Sequence, residues 1–441
     1  MRGIPQRGAL AIVAAAALTL AACSSSNSGG GTTGTPNSGA NPAPDNTPVT
    51  LTWWNNGTTD PVKSTWAQVV KDYQTAHPNV TIKNEPFQNE QFQTKVPLAL
   101  QGSDPPDLYQ QWGGGNMASQ LTSGKVMDLT QAASGWIAQV GTAAAGWQAQ
   151  GKQYGIPYDR HVVGFWYRTD LFARAGITTP PATIDEFRDA IAKLKQANII
   201  PVAVGSKDRW PDAFYWAYFA IRACSTETLR AASDSLKLDD PCWVKAGNDL
   251  KAFLDLQPFQ SAFLGTPAQQ GAGSSAGLVA TGKAAMELQG DWELATMMGL
   301  TSDKTLPSKL GWFPFPAVPG GAGDPKAVLG GGDGFSCTTT APAAACVDFL
   351  KYITSADVQK KLVAAGFGLP VNPEATSALT DNTLKTVLQA SQDAPYTQTY
   401  FDIAFPTTVG QALNDSIANY FAGKGSPESI VQDTIKAADD K

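Results

Sequence analysis

The stretch "VTLTWWNNGTTDPVKSTWAQVVKDYQTAHPNVTIKNEPF", residues 49–87, changes periodicity twice. A β-branched run enters a Gly/Asn/Thr loop at Asn55. Trp66, Val69, Val70 and Tyr73 then recur at i, i+3, i+4 and i+7, one face of a helix that ends by Pro78. "NVTIKNEPF" alternates as a strand. Beyond it, "NEQFQTKVPLALQGS" reads as a second helix despite Pro97, and "PDLYQQWGGGN" as a third strand running into a glycine loop. The order β-α-β-α-β predicts a parallel, doubly wound sheet. Ligands of such sheets sit outside the carboxyl ends of the strands. Those ends are Asn55-Asn56, Pro86-Phe87-Gln88 and Gln111-Trp112, amides and aromatics suited to a neutral polyol.

A second α/β unit follows. "TTPPATIDEFRDAIAKLKQAN" opens with Thr183 and Glu186, a capping box. It leads into the strand "IIPVAVG" and then "SKDRWPDAFYWAYF", read as a loop that puts Arg209 and Trp210 at another strand end. Between the units, "GKQYGIPYDRHVVGFWYRTDLF" reads as strand, crossing near Asp159–His161, and strand. "LVATGKAAMELQGDWELATMM" reads as helical, and "KLGWFPFPAVPGG" as a returning strand. Several crossings between two lobes would enclose a cleft able to close like a hinge.

The 441 residues carry a net charge of -6, so no basic footprint argues for nucleic acid. From Val49 onward the chain exceeds the roughly 250–300 residues at which single cores stop growing, so two lobes are expected. Its N-terminus has a different character. Arg2 and Arg7 precede an apolar run from Ala9 to Ala22, too short for the roughly 20 residues of a span and built like an export signal. Ser24 to Pro48 is Ser, Gly, Thr, Asn, Pro and Ala with Asp45 as its single charge. Such a tract cannot bury enough surface to fold, and would form a flexible tether of roughly 28 Å r.m.s. span. Besides Cys23, the chain holds Cys224, Cys242, Cys337 and Cys346. An even number in an exported chain suggests two bridges. Of three connectivities, Cys224–Cys242 with Cys337–Cys346 closes the shortest loops. Neither pair has the spacing of a metal site.

Two catalytic-looking matches fail on context. Gly273-Ser274-Ser275-Ala276-Gly277 fits a nucleophile elbow, but no strand precedes it and both histidines, His77 and His161, lie upstream. "GLVATGK", Gly277 to Lys283, fits most of a phosphate-binding loop, yet Ala284 replaces the hydroxyl residue. A glycosidase would need two facing carboxylates, for which Asp159, Asp291, Asp333 and Asp402 are candidates. The aromatic residues say more. Trp53-Trp54, Trp112, Tyr158, the run Trp210 to Trp216, Trp292, Trp312 and Phe405 fall at or beside expected strand ends or loops. Flat rings match the C–H face of a pyranose, and Asn, Asp and Arg bind its hydroxyls. Trp66 and Trp53 read as core; Trp210 and Trp292, in polar surroundings, read as ligand contacts.

Leu20-Ala21-Ala22-Cys23 resembles the bacterial lipobox, which implies that Cys23 becomes an acylated anchor. The body from Val49 to the C-terminus resembles the extracellular solute-binding protein family 1, the carbohydrate-binding lipoproteins of ABC importers. The likeness is carried by "LTWWNN", "GSDPPDLYQQW", "GKQYGIPYDRHVVGFWYRTDLFARAGI", "GKAAMELQGDWEL", "LGGGDGFSCTT" and "FPTTVGQALNDSIANYFAGKGSPESIVQDTI". It implies a two-lobed, periplasmic-binding-protein-like α/β fold with a sugar held between the lobes. By position it implies ligand contacts at Asn55, Asn56, Gln111, Trp112, Tyr158, Asp159 and Arg160. It adds Asp291 and Trp292, the turn Gly331-Gly332-Asp333, and Asp402 with Phe405; Gln88, Arg209 and Trp210 rest on the strand-end reading alone. The lobes are expected at 49–159 plus 311–350 and at 160–310 plus 351–441. The expectation is a lipid-anchored, monomeric receptor with no cofactor, no metal and no chemistry of its own. It would pass a di- or oligosaccharide to the permease of an ABC importer. A secreted glycosidase, or a receptor for a polyol phosphate using Arg160 and Arg209, are the competing readings.

Overall fold

The computed structural model describes residues 47–440, so the segment expected to be an export signal, Cys23 and nearly all of the expected tether lie outside it. Within it, β1 (Val49–Asn55), α1 (Val62–Ala76), β2 (Val80–Pro86), α2 (Asn89–Gln101) and β3 (Leu108–Gln111) follow the expected order. β1 pairs in parallel with β2, from Val49 opposite Val80 to Asn55 opposite Pro86, and with β3 on its other side. α1 buries Trp66, Val69, Val70 and Tyr73, the face its periodicity marked. Trp53 of β1 meets Trp66 edge to face at 5.1 Å, so both indoles are core. Strands Gly334–Cys337 and Ile156–Pro157 complete this sheet.

A second sheet holds, in order, Leu310–Phe313, Gly164–Arg168, Ala284–Gln289 and Ile200–Ala203. It is mixed: Ala284–Gln289 runs parallel to Ile200–Ala203 and antiparallel to Gly164–Arg168. The capping box before helix Ile184–Gln196 is present, with Glu186 N–H donating to Thr183 Oγ1 at 3.3 Å. Between the two sheets lies a small third one. Its central strands, Asp159–Val162 and Val328–Gly331, run antiparallel, with His161 opposite Gly331. The chain crosses from the first sheet to the second through the first of these strands. It returns through the second.

Several readings need correction. "GKAAMELQGDW" is not helical: Ala284–Gln289 is a fully buried strand, because burial on both faces overrides the helix preference of Ala, Met, Glu and Leu. The segment after "IIPVAVG" is not a loop but the helix Trp210–Ala223, buried nearly all round. Tyr215 and Trp216 are therefore core, Trp216 stacking on Trp243 at 5.8 Å. Trp312 is core as well. Gly311, Trp312 and Phe313, expected in the first lobe, pair with Tyr167, Trp166 and Phe165 of the second sheet. Val358 and Leu362 of helix Ala356–Ala364, expected in the second lobe, pack with Trp53 and Trp66 in the core of the first. Gly114–Gln120, read as a glycine loop, is a short helix.

Both expected disulfides form. Cys224–Cys242 joins the ends of two helices, and Cys337–Cys346 ties the strand Gly334–Cys337 to the next helix. Among the described residues no helix is long and apolar enough to cross a membrane.

Candidate ligand-binding site

A cavity of about 530 Å³ opens between the first and second sheets. One wall comes from the carboxyl ends of β1, β2 and β3 and carries Asn56, Gln88 and Trp112. The opposite wall carries Arg209, Trp210 and Trp292, and the middle strands supply Tyr158, Asp159 and Asp333; Asp402 closes one end. These ten expected residues share one hollow. Trp112, Tyr158 and Trp292, named from three separate parts of the sequence, all reach it.

Trp292 follows from its local sequence. It stands at the N-terminus of helix Glu293–Gly299, and a Cβ on Gly290 would lie 2.1 Å from its ring. Only glycine lets the indole fold back over the chain. There it meets His161 edge to face at 4.8 Å, with Trp210 and Phe214 each 6.4 Å away and Tyr400 at 6.5 Å. Trp210 opens its helix and donates its Nε1–H to Glu90 of α2 at 3.0 Å, a bond from one wall to the other.

The floor is polar. His161 lies between carboxylates, Nδ1 at 3.1 Å from Asp291 and Nε2 at 3.1 Å from Asp159. Asp159 accepts the Asp333 N–H at 2.6 Å, while Asp333 accepts from Asn56 and from the Tyr158 hydroxyl, each at 3.2 Å. Burial disfavours a charged imidazole, but Asp159 and Asp291 outweigh it and hold His161 protonated well above the usual histidine range. Burial, opposed by His161 and reinforced by Asp333, pushes Asp159 up to about 7. Burial also raises Asp402, which accepts from Asn414 at 2.9 Å.

Seven expected residues stand behind the cavity surface. Asn55 is buried and accepts the Gly57 N–H at 3.0 Å, shaping the loop that presents Asn56. Gln111 likewise accepts the N–H of Trp112 at 3.0 Å and fixes that turn. Asp291 is buried completely and accepts the N–H groups of Val162 and Leu369, both at 2.9 Å, as well as His161. Arg160 alternates with His161 along its strand and so turns its side chain away. Gly331 and Gly332 leave room for neighbours, the Tyr400 ring and the Asp159 carbonyl, which added Cβ atoms would approach to 2.4 and 2.5 Å. Phe405 is core. Tyr158 offers only its hydroxyl, because Phe335 covers its ring at 4.9 Å.

Among the cavity-lining residues that sequence reading did not name as ligand contacts are His161, Glu90, Phe214 and Tyr400. His161 had a signal: strand alternation sets it on the same face as Asp159. Phe214 lies one helical turn from Trp210, which required recognising that helix. For Tyr400 there was none.

The model of the bacterial extracellular solute-binding protein family matches residues 56–360. A structure from work on xylan utilization by the thermophilic bacterium Caldanaerobius polysaccharolyticus aligns with TM-score 0.80 and 25% identity, over 88% of this chain and 99% of that one. A chitin oligosaccharide binding protein aligns with TM-score 0.79 and 25% identity, over 89% and 98%. An uncharacterized ABC transporter extracellular-binding protein of Pyrococcus horikoshii is 25% identical over 256 residues, a match spanning 57% of this chain and 57% of that protein, less than two thirds of its length.

Proposed function

Because this chain belongs to the bacterial extracellular solute-binding proteins, we propose that it captures a short, uncharged oligosaccharide for an ABC importer. The observation that carries this reading is the pairing of wall and floor. Trp112, Trp210 and Trp292 offer apolar surface around one hollow whose polar groups are mainly amides, hydroxyls and carboxylates, with Lys207, Arg209 and His161 among them. A sugar presents the matching pair of surfaces. The volume of about 530 Å³ falls within the range of small-molecule sites and accommodates more than a single ring. The two structures at 25% identity, from work on xylan and chitin oligosaccharides, support an oligosaccharide. A micromolar complex needs about -8 kcal/mol, within reach of two or three stacked rings and a set of hydroxyl bonds.

No covalent chemistry is proposed. Asp159 and Asp333 sit side by side on one floor, bound to each other through the Asp333 N–H, rather than facing across a bond to be cleaved. A phosphate ligand is disfavoured: Arg209 is paired with Asp415, and Asp159 and Asp333 would repel an anion. The lipid anchor at Cys23 belongs to the same proposal, and Cys23→Ala is expected to release the protein from the membrane fraction.

The test is calorimetric titration of purified protein with mono- to tetrasaccharides, with chromatography of the recovered sugar. Saturable binding of intact oligosaccharide supports the proposal. Shortened products, or no binding by any member of a broad panel, would overturn it.

A further inference from the structure

The geometry points to a site for one divalent first-row transition cation, Zn²⁺ or Mn²⁺, held on the cavity floor by Asp159, His161 and Asp333. Asp159 Oδ1 lies 3.1 Å and Asp333 Oδ2 lies 3.8 Å from His161 Nε2, and the three atoms fall within 4.8 Å of one another. Ligands roughly 2.0–2.2 Å from a tetrahedral zinc lie roughly 3.3–3.5 Å apart, so the two His161 distances need shifts of a few tenths of an ångström and the two carboxylate oxygens, no more than 4.8 Å apart, a shift of at most about 1.5 Å. One imidazole and two carboxylates suit zinc or manganese better than calcium or magnesium, which prefer all-oxygen shells.

A second, independent observation comes from the histidine. Its side chain is 3% exposed, and its Nε2, aimed at the two carboxylates, completes no hydrogen bond of good geometry. Its other nitrogen faces Asp291, itself fixed by the N–H groups of Val162 and Leu369. Metal-ligating histidines typically hand their second N–H to a carboxylate in this way, which sets the ring's orientation and raises its basicity. Asp291 thus acts as a positioning residue.

Three protein donors leave a coordination position free, and all three residues line the cavity. If the oligosaccharide reading above holds, that position falls to a sugar hydroxyl; cation binding itself does not depend on it.

The experiment uses full-length protein stripped with a chelator and titrated near neutral pH with ZnCl₂, MnCl₂ or CaCl₂, without sugar. A single equivalent of Zn²⁺ is expected, with Mn²⁺ weaker and Ca²⁺ weakest. Asp291→Asn should weaken zinc binding about 10- to 100-fold, and His161→Gln and Asp333→Asn more than that. His77→Gln, altering the chain's other histidine, should leave it unchanged. Circular dichroism establishes that each variant is folded. Absence of Zn²⁺ and Mn²⁺ uptake at millimolar concentration, or uptake that survives both His161→Gln and Asp333→Asn, overturns the assignment. A protein that takes zinc but no sugar retains this site and loses the oligosaccharide reading; the reverse outcome separates them equally.

Discussion

Single residues fall into two groups here, those that touch the cavity and those that make the touching possible. Trp292 is of the first kind. Losing a buried indole face is worth about 1.5–3 kcal/mol, so Trp292→Ala should weaken sugar binding roughly 10- to 100-fold. Its melting temperature should shift only slightly, and calorimetry finding unaltered affinity would remove the residue from the site. Glu287 belongs to neither group. It is buried on its strand with both carboxylate oxygens lacking a completed hydrogen bond, beside Glu293 in the same condition. Burial, offset in part by Ser275 and Gln289, raises Glu287 from 4.5 to about 8, and burial plus the neighbouring Glu287 holds Glu293 well above the usual carboxylate range as well. The folded state therefore keeps protons that the unfolded chain loses above about pH 4.5. Stability should fall as pH rises from there to about 8, by up to about 1.4 kcal/mol per pH unit for each retained proton. Glu287→Gln should flatten that decline. Thermal melts of variant and wild type that run parallel between about pH 5 and pH 8 would show that Glu287 holds no extra proton.

At the scale of elements, legibility tracked how strongly each segment's pattern agreed with its surroundings. α1 could be read because Trp66, Val69, Val70 and Tyr73 lie on one face and the other face is polar. Ala284–Gln289 could not, because a strand buried on both sides has no alternation, and its residues individually favour helix. Helix Trp210–Ala223 was hidden for a related reason. It is apolar almost all round, so no face stands out, and its opening Trp-Pro imitated a loop. Its far end carries Cys224, joined to Cys242 across a separation of 18 residues. A closed loop of that length restricts the unfolded chain by about 3 kcal/mol. Replacing both cysteines with alanine should lower unfolding free energy by about that amount, measured by denaturant titration, while leaving sugar affinity nearly intact because neither lines the cavity.

For the whole molecule, the decisive feature is that Asp159–Val162 and Val328–Gly331 lie side by side between the lobes and carry part of the binding floor. A ligand resting on them and on both walls gains most when the lobes approach, as the Trp210–Glu90 bond already permits. Saturating oligosaccharide should therefore reduce or hold the radius of gyration in solution scattering and slow hydrogen exchange along these strands. An expansion on binding would contradict a cleft that closes. The sequence by itself determined the β-α-β-α-β order of the first lobe and the aromatic and amide character of the strand ends, and it favoured one of three pairings of its cysteines. Each of these is written in periodicity or spacing over short distances. Only the tertiary structure decided which lining residues are walls and which are props. It turned Asp291 inward onto backbone N–H groups, covered the ring of Tyr158 with Phe335, and brought His161 against Asp291, 130 residues away in sequence. Those outcomes depend on which side chains meet across distant strands, and no local pattern records that.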